Sequence, residues 1–247
     1  MSSPAQGSLG FDSFVLAAAT ADLADEPVAR EHADVVELRM DMAADGDGTA
    51  APIDQLDDYD GELPVLATNR PTWEGGAATA DEPDRLDALV AAAAHDAVVA
   101  VDLEVASLRT ERGDAVAATV RDRGAAVVAS RHDFEGTPPA STLRRLLHEA
   151  ATLGDVGKLA TTATSGADAL RLLSATRAAT GWGDRVATMA MGEPGRHTRA
   201  VAPVYGSRIG YAPVDPARAT APGQFDLATL ARLVDELTGE AEPNPEA

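Results

Sequence analysis

Eight short runs rich in Val, Ala and Leu recur along the chain, with stretches of helical spacing between them: 14–20, 34–41, 64–70, 97–104, 125–132, 155–161, 185–191 and about 207–214. Nearly continuous apolar runs of this length suit strands buried on both faces, as in a parallel sheet. Helical spacing is found at 82–95, 139–153, 167–179 and 227–237. The last of these puts Leu227, Leu230, Leu233, Val234 and Leu237 on one face and places Asp226 to cap its start. Between Met42 and Leu63 the only helical signal is at 53–59, so that connection is expected to be minimal. Repeated strand and helix without a low-complexity linker points to an α/β chain folded as a single (β/α)8 TIM barrel, for which 247 residues is an ordinary length. One barrel domain is expected over 1–247, with flexible ends at 1–9 and 240–247.

In such a barrel, chemistry belongs at the C-terminal ends of the strands, and the runs do end in polar residues. The second closes on Glu37, Arg39 and Asp41, which a period of two places on one face. Three charges on a buried strand face must pair with one another or with a ligand. The third run closes on Thr68-Asn69-Arg70 and enters a loop holding Glu74, Gly75 and Gly76, whose glycines permit a close approach to a ligand. The fourth ends Asp102-Leu103-Glu104, the fifth Ser130-Arg131-His132, and the seventh Met189-Ala190-Met191. His132 is the one histidine that ends a run; His32, His95 and His148 fall on helical stretches and His197 in a loop, where solvent-facing roles are expected. Met189 and Met191 read first as packing.

The sixth run carries Lys158, the only lysine in a chain with 20 basic residues. Arginine is always charged in proteins and cannot act as an amine nucleophile, whereas lysine can. A lone lysine on a buried strand is therefore a candidate for imine chemistry with a carbonyl substrate. It would share the strand ends with a histidine suited to proton transfer near neutral pH and with arginines suited to a carboxylate.

The formal charge of −20 argues against binding nucleic acid or an anionic membrane, both of which need a positive footprint. Such acidity, with almost no lysine, fits a halophilic protein kept soluble in high salt, where surface repulsion is screened. Unfolding measured across a salt series checks this: stability is expected to rise with salt, and a maximum in dilute buffer would overturn the assignment. With no cysteine, disulfides, thiolate metal sites and cysteine nucleophiles are excluded. No apolar run reaches membrane-spanning length and the start lacks a signal-peptide core, so a cytoplasmic protein is expected.

These residues taken together resemble the type I 3-dehydroquinate dehydratases of the shikimate pathway, from Phe14 to about Leu237. The match is carried by Glu37-Leu-Arg39-Met-Asp41, Thr68-Asn-Arg70 with Glu74-Gly-Gly76, Asp102-Leu-Glu104, Ser130-Arg-His132-Asp-Phe134, Lys158, Met191-Gly192 with Arg199, and Ala221-Pro-Gly-Gln224. The order and spacing of these motifs are specific where no single one is. The resemblance implies a lyase that converts 3-dehydroquinate to 3-dehydroshikimate without a cofactor or metal, and a homodimer. It implies an imine on Lys158, acid and base catalysis by His132, and orientation of His132 by Glu74. Substrate contacts are implied for Glu37, Arg39, Arg70, Arg199, Thr220 and Gln224, with Arg199 facing the substrate carboxylate. Thr220 stands where serine is common in the family, which keeps a hydroxyl there. The loop at 215–224 suits either a lid or a plain connection. Other readings of the same residues are a class I aldolase, a divalent-metal site on Glu37, Asp102, Glu104 and His132, and a barrel that only binds a polyol acid.

Overall fold

The computed structural model describes residues 10–43, 50–218 and 223–239. Eight strands form at the apolar runs: β1 (Val15–Thr20), β2 (Val35–Arg39), β3 (Val65–Thr68), β4 (Val98–Glu104), β5 (Ala126–Asp133), β6 (Val156–Thr162), β7 (Val186–Met191) and β8 (Ile209–Pro213). Each paired neighbour is parallel, in the order β7-β6-β5-β4-β3-β2-β1-β8, so the chain winds once around a (β/α)8 TIM barrel. The third run is cut short at Thr68, ahead of Pro71, which has no N–H to extend the ladder. The second stops at Arg39, where the Met40 N–H reaches the carbonyls of Leu38 and Thr68.

Helices follow the strands: α1 (Glu26–Ala29), α2 (Pro52–Asp57), α3 (Glu82–Ala92), α4 (Val105–Leu108), α5 (Glu111–Asp122), α6 (Ala140–Leu153), α7 (Gly166–Gly181), α8 (Thr198–Val201) and α9 (Leu227–Thr238). Asp226 caps α9 by accepting the Thr229 N–H at 2.9 Å, as its position in the sequence predicts. Helix α3 ends at Ala92 rather than at 95, and His95 lies in the turn beyond it, half-buried and 3.6 Å from Asp57. His32 also falls in a turn rather than a helix. Helix α5 has no counterpart among the stretches singled out by spacing. Its buried face is Gly113, Val116, Ala117 and Val120, too small to mark a strong stripe, and a side chain at Gly113 would meet the Ser107 carbonyl oxygen at 1.9 Å.

The two-residue period of the strands sorts the barrel interior by height. At the bottom, Val15, Val35, Leu66, Ala100, Val128, Val156, Ala187 and Ile209 pack together, with Phe11 beneath them. Two residues further along the strands stand Glu37, Thr68, Asp102, Ser130, Lys158 and Tyr211, all buried. An apolar floor thus carries a charged layer, which must find its partners inside the barrel.

One joint in the barrel differs from the others. β7 and β8 share no ladder, only a bridge at the bottom between Val186 and Ser207. Above it, side chains stand in for a neighbouring strand: the Ser207 hydroxyl accepts the Thr188 N–H at 3.0 Å, and the Thr198 hydroxyl accepts the Ala190 N–H at 2.9 Å. Thr198 opens α8, so this short helix is held against the free edge of β7, and the next residue is Arg199. Among the described residues, no helix is long and apolar enough to cross a membrane.

Candidate active site

The charged layer opens into a pocket of about 500 Å³, counting its open mouth. Glu37, Arg39, Arg70, His132, Lys158, Arg199 and Gln224 line it, with Met189, Met191, Phe134 and Tyr211 as apolar wall. The structure therefore brings together seven of the residues chosen from sequence, and Glu74 stands directly behind His132. Thr220 and the ends at 1–9 and 240–247 lie outside the described residues, as does part of the 215–224 loop.

Lys158 occupies the middle of β6, opposite Ser130 on β5 and Ala187 on β7, and is 2% exposed. Its Nζ lies 2.7 Å from Asp102 Oδ2 and 4.2 Å from the centroid of the Tyr211 ring. Asp102 accepts the Ser130 hydroxyl on its other oxygen at 2.5 Å and has Arg70 at 3.8 Å. Burial alone would raise the Asp102 pKa, but the Lys158 and Arg70 charges and the two hydrogen bonds hold it below the usual value. Asp102 is thus a fixed carboxylate that aims the amine.

His132 is the penultimate residue of β5, one layer above Lys158, and its ring is buried. A single Glu74 oxygen lies 2.6 Å from the His132 backbone N–H and 2.9 Å from Nδ1. Glu74 sits in a short 3-10 turn after β3, closed by Gly75 at φ 73°. The Phe134 ring stacks near the imidazole at 6.2 Å and lies close over Gly75, where an added Cβ would come within 2.3 Å of it. The approach expected of these glycines is therefore largely made by the chain itself, because Gly76 packs equally tightly on the Arg70 carbonyl.

Burial, and then the charges of Arg70, Lys158 and Arg39, push the imidazole well below its ordinary pKa, so His132 is neutral near pH 7. Burial raises Glu74 to about 7. The two groups form one coupled unit, in which an ionised Glu74 accepts Nδ1–H and leaves Nε2 free to take a proton.

Glu37 accepts the Thr68 hydroxyl at 2.8 Å, and Arg39 forms a two-pronged pair with Asp41 at 2.9 and 2.7 Å. The charged triplet of β2 thus divides: Asp41 serves Arg39 and also accepts the Ala77 N–H, while Glu37 and Arg39 face the pocket. Glu104 belongs to a different cluster, 2.8 Å from Arg85, which also holds Glu82, Ser107 and the Asn69 carbonyl. Burial nonetheless raises Glu104 to about 8. With Asp102 bound by Lys158 and Glu104 by Arg85, these carboxylates do not converge, and no cluster among the described residues has the make-up of a metal site.

Arg199 is the exception to this pairing. It is 5% exposed, its Nε has no partner, and no carboxylate among the described residues pairs with it. Burial lowers its pKa to about 10 without removing its charge near neutrality. An unpaired guanidinium at the wall of a pocket is an anion site awaiting its anion.

Spacing in the sequence singled out neither Tyr211 nor the joining of Asp102 to Lys158. Asp102 and Ser130 do share the inward period of two with Lys158, which is the signal available. The family model for type I 3-dehydroquinase matches residues 15–240 of this chain. A 3-dehydroquinate dehydratase of Haloarcula marismortui is 59% identical over 237 residues, covering 94% of this chain and all of the relative. That of Haloquadratum walsbyi is 54% identical over 232 residues, covering 93% and 95%. Among solved structures, the 3-dehydroquinate dehydratase of Geobacillus kaustophilus matches with a TM-score of 0.79 at 27% identity, covering 94% of this chain and 93% of its own.

Proposed function

Because the chain belongs to the type I 3-dehydroquinase family, a family of lyases that remove water from 3-dehydroquinate, we propose that it performs this dehydration through an imine on Lys158, with His132 moving the protons. The observation that carries this mechanism is the placement of the only amine side chain. Lys158 shares its pocket with the neutral imidazole of His132 and with the Arg199 guanidinium, with which no carboxylate among the described residues pairs. The substrate carboxylate at C1 pairs with Arg199, which places the C3 ketone over Lys158.

Nζ gives one proton to His132 and attacks C3, a second proton passes from the nitrogen to the carbonyl oxygen, and the imidazolium returns the first, so that the oxygen leaves as water and an iminium remains. Its positive charge takes the place of the ammonium beside Asp102, so the ion pair is kept rather than rebuilt. His132 Nε2 then removes a proton from C2, and the electron pair flows into the iminium to give an enamine. The imidazolium next gives its proton to the C1 hydroxyl, which departs as water while the enamine collapses to the conjugated iminium. Hydrolysis frees 3-dehydroshikimate and returns Lys158. Glu37, Arg39, Arg70 and Gln224 bind the remaining substituents. Thr220 carries the same role by resemblance, and Glu74 holds the imidazole in the basic tautomer. Borohydride added with 3-dehydroquinate should fix a reduced adduct on Lys158, read as a mass gain on its peptide; a folded protein that turns over substrate without forming it would exclude the mechanism.

Glu74 gives this reading a pH signature. Its folded-state pKa of about 7 means that kcat/KM should fall as pH drops through neutrality, because protonated Glu74 no longer accepts Nδ1–H. Glu74→Gln should lower kcat/KM by about 10- to 100-fold and remove that limb. The same shift has a stability side. A carboxyl raised in the folded state imposes no penalty below its unfolded value and the full penalty above about 7. Glu74→Gln should therefore gain thermal stability over wild type at pH 8 but not at pH 4, whereas an unchanged profile in both assays would place Glu74 outside the proton path.

A further inference from the structure

Tyr211 lines the same pocket, and the mechanism just given leaves it without a task. It stands on β8 with its side chain inside the barrel, level with Ala17 of β1, and is 5% exposed. Its ring lies against Lys158 Nζ, an arrangement that favours a cation and so serves the ammonium and the iminium alike. Packing and cation contact need only a ring, which phenylalanine would supply. The hydroxyl is different: it is buried and has no hydrogen-bond partner among the described residues. Burial raises its pKa well above the ordinary value, and the nearby Glu37 and Asp102 charges add to this, so the phenol keeps its proton and acts as a donor rather than a base. A buried donor with nothing to bond costs stability unless a ligand completes it.

We propose that the Tyr211 hydroxyl hydrogen-bonds the C4 hydroxyl of the substrate, making this residue a determinant of specificity for a hydroxyl next to the reacting ketone. The inference rests on the imine reading above. With C1 anchored at Arg199 and C3 bonded to Nζ over the tyrosine ring, the two carbons flanking C3 are set apart. C2 carries only hydrogens, one of which goes to His132. C4 carries a hydroxyl, and it points away from the Arg199 anchor, into the part of the pocket that Tyr211 lines together with Glu37 and Arg70. Neither flank of C3 offers another polar group to satisfy it.

The test compares 3-dehydroquinate with its 4-deoxy analogue on wild type and on Tyr211→Phe, which removes one oxygen and keeps the ring. Wild type should favour the hydroxylated substrate in kcat/KM, and Tyr211→Phe should shrink that preference by about 10-fold, with the whole loss falling on 3-dehydroquinate. The melting temperature of the variant should equal or exceed that of wild type, since the deleted oxygen has no hydrogen-bond partner among the described residues. Equal losses on both substrates, no loss on either, or a lowered melting temperature would overturn the assignment. Borohydride trapping of wild type with 3-dehydroquinate separates the two layers of inference: absence of the Lys158 adduct overturns the imine reading itself, whereas an intact adduct with an unchanged preference overturns only the role of Tyr211.

Discussion

Lys158→Arg should abolish turnover, by on the order of a millionfold, as expected when the nucleophile of a covalent mechanism is removed. The variant retains a positive charge beside Asp102 and carries no other amine side chain that could substitute. If charge alone were the role of Lys158, arginine would preserve much of the activity, and kcat measured at saturating 3-dehydroquinate decides between the two. Lys158→Met adds a stability readout. It leaves Asp102, 1% exposed, with only the more distant Arg70 at 3.8 Å, and breaking one side of a buried pair costs up to about 3–5 kcal/mol. The sign with pH follows from the depressed Asp102 pKa. In wild type the pair stabilises the fold above the unfolded aspartate value and is lost as pH falls through the lower folded one. In Lys158→Met the carboxylate is instead a burden at neutral pH, so the deficit against wild type should narrow on acidification. Chemical denaturation at pH 7 and at pH 4 measures that difference.

His132→Ala should reduce kcat by about 100- to 10,000-fold, the range for loss of a general acid and base. The imine does not strictly require the imidazole, because Nζ and Asp102 remain in place. The borohydride adduct should therefore still form in this variant, more slowly, while Lys158→Arg forms none. A variant of His132 that lost the adduct entirely would assign the imidazole to imine formation rather than to removal of the C2 proton. Stability again carries a sign. A histidine pushed below its ordinary value in the folded state favours unfolding once the unfolded chain begins to protonate, near pH 6.5 and below. His132→Ala removes that acid sensitivity, so its melting temperature should decline less than that of wild type between pH 7 and pH 5.

Much of this architecture is legible in the sequence because a parallel barrel imposes two strong regularities. The strands are apolar throughout, which locates them, and they become polar at one end, which locates the chemistry. His132, Arg39 and Glu37 of the pocket lining are found by that rule, and Lys158 by being the only lysine in the chain. Helix α5 escapes because small residues do its packing, so spacing gives no strong apolar stripe. The Lys158–Asp102 pair escapes because the two residues are 56 positions apart, and only the curvature of the closed sheet brings them face to face. Tyr211 escapes for another reason: an aromatic residue in an apolar strand reads as core, and its single unbonded oxygen is visible only when every neighbour is in place. Arg199 had to be supplied by family resemblance, since nothing in a four-residue helix announces that its arginine points into a pocket without a partner.

The unladdered joint between β7 and β8 gives the barrel the mechanics of a split ring. Every other pair of neighbouring strands would have to break a row of backbone hydrogen bonds to move apart, whereas this pair is fastened only at its base and through the hydroxyls of Ser207 and Thr198. Widening of the mouth is therefore cheapest along that line. Its lips carry Met191 and Arg199 on one side and Tyr211 on the other, while Lys158, Asp102, His132 and Glu74 stand on the unbroken arc. A widening there would leave the Lys158–Asp102 and His132–Glu74 contacts untouched, because both are held by strands whose ladders are complete.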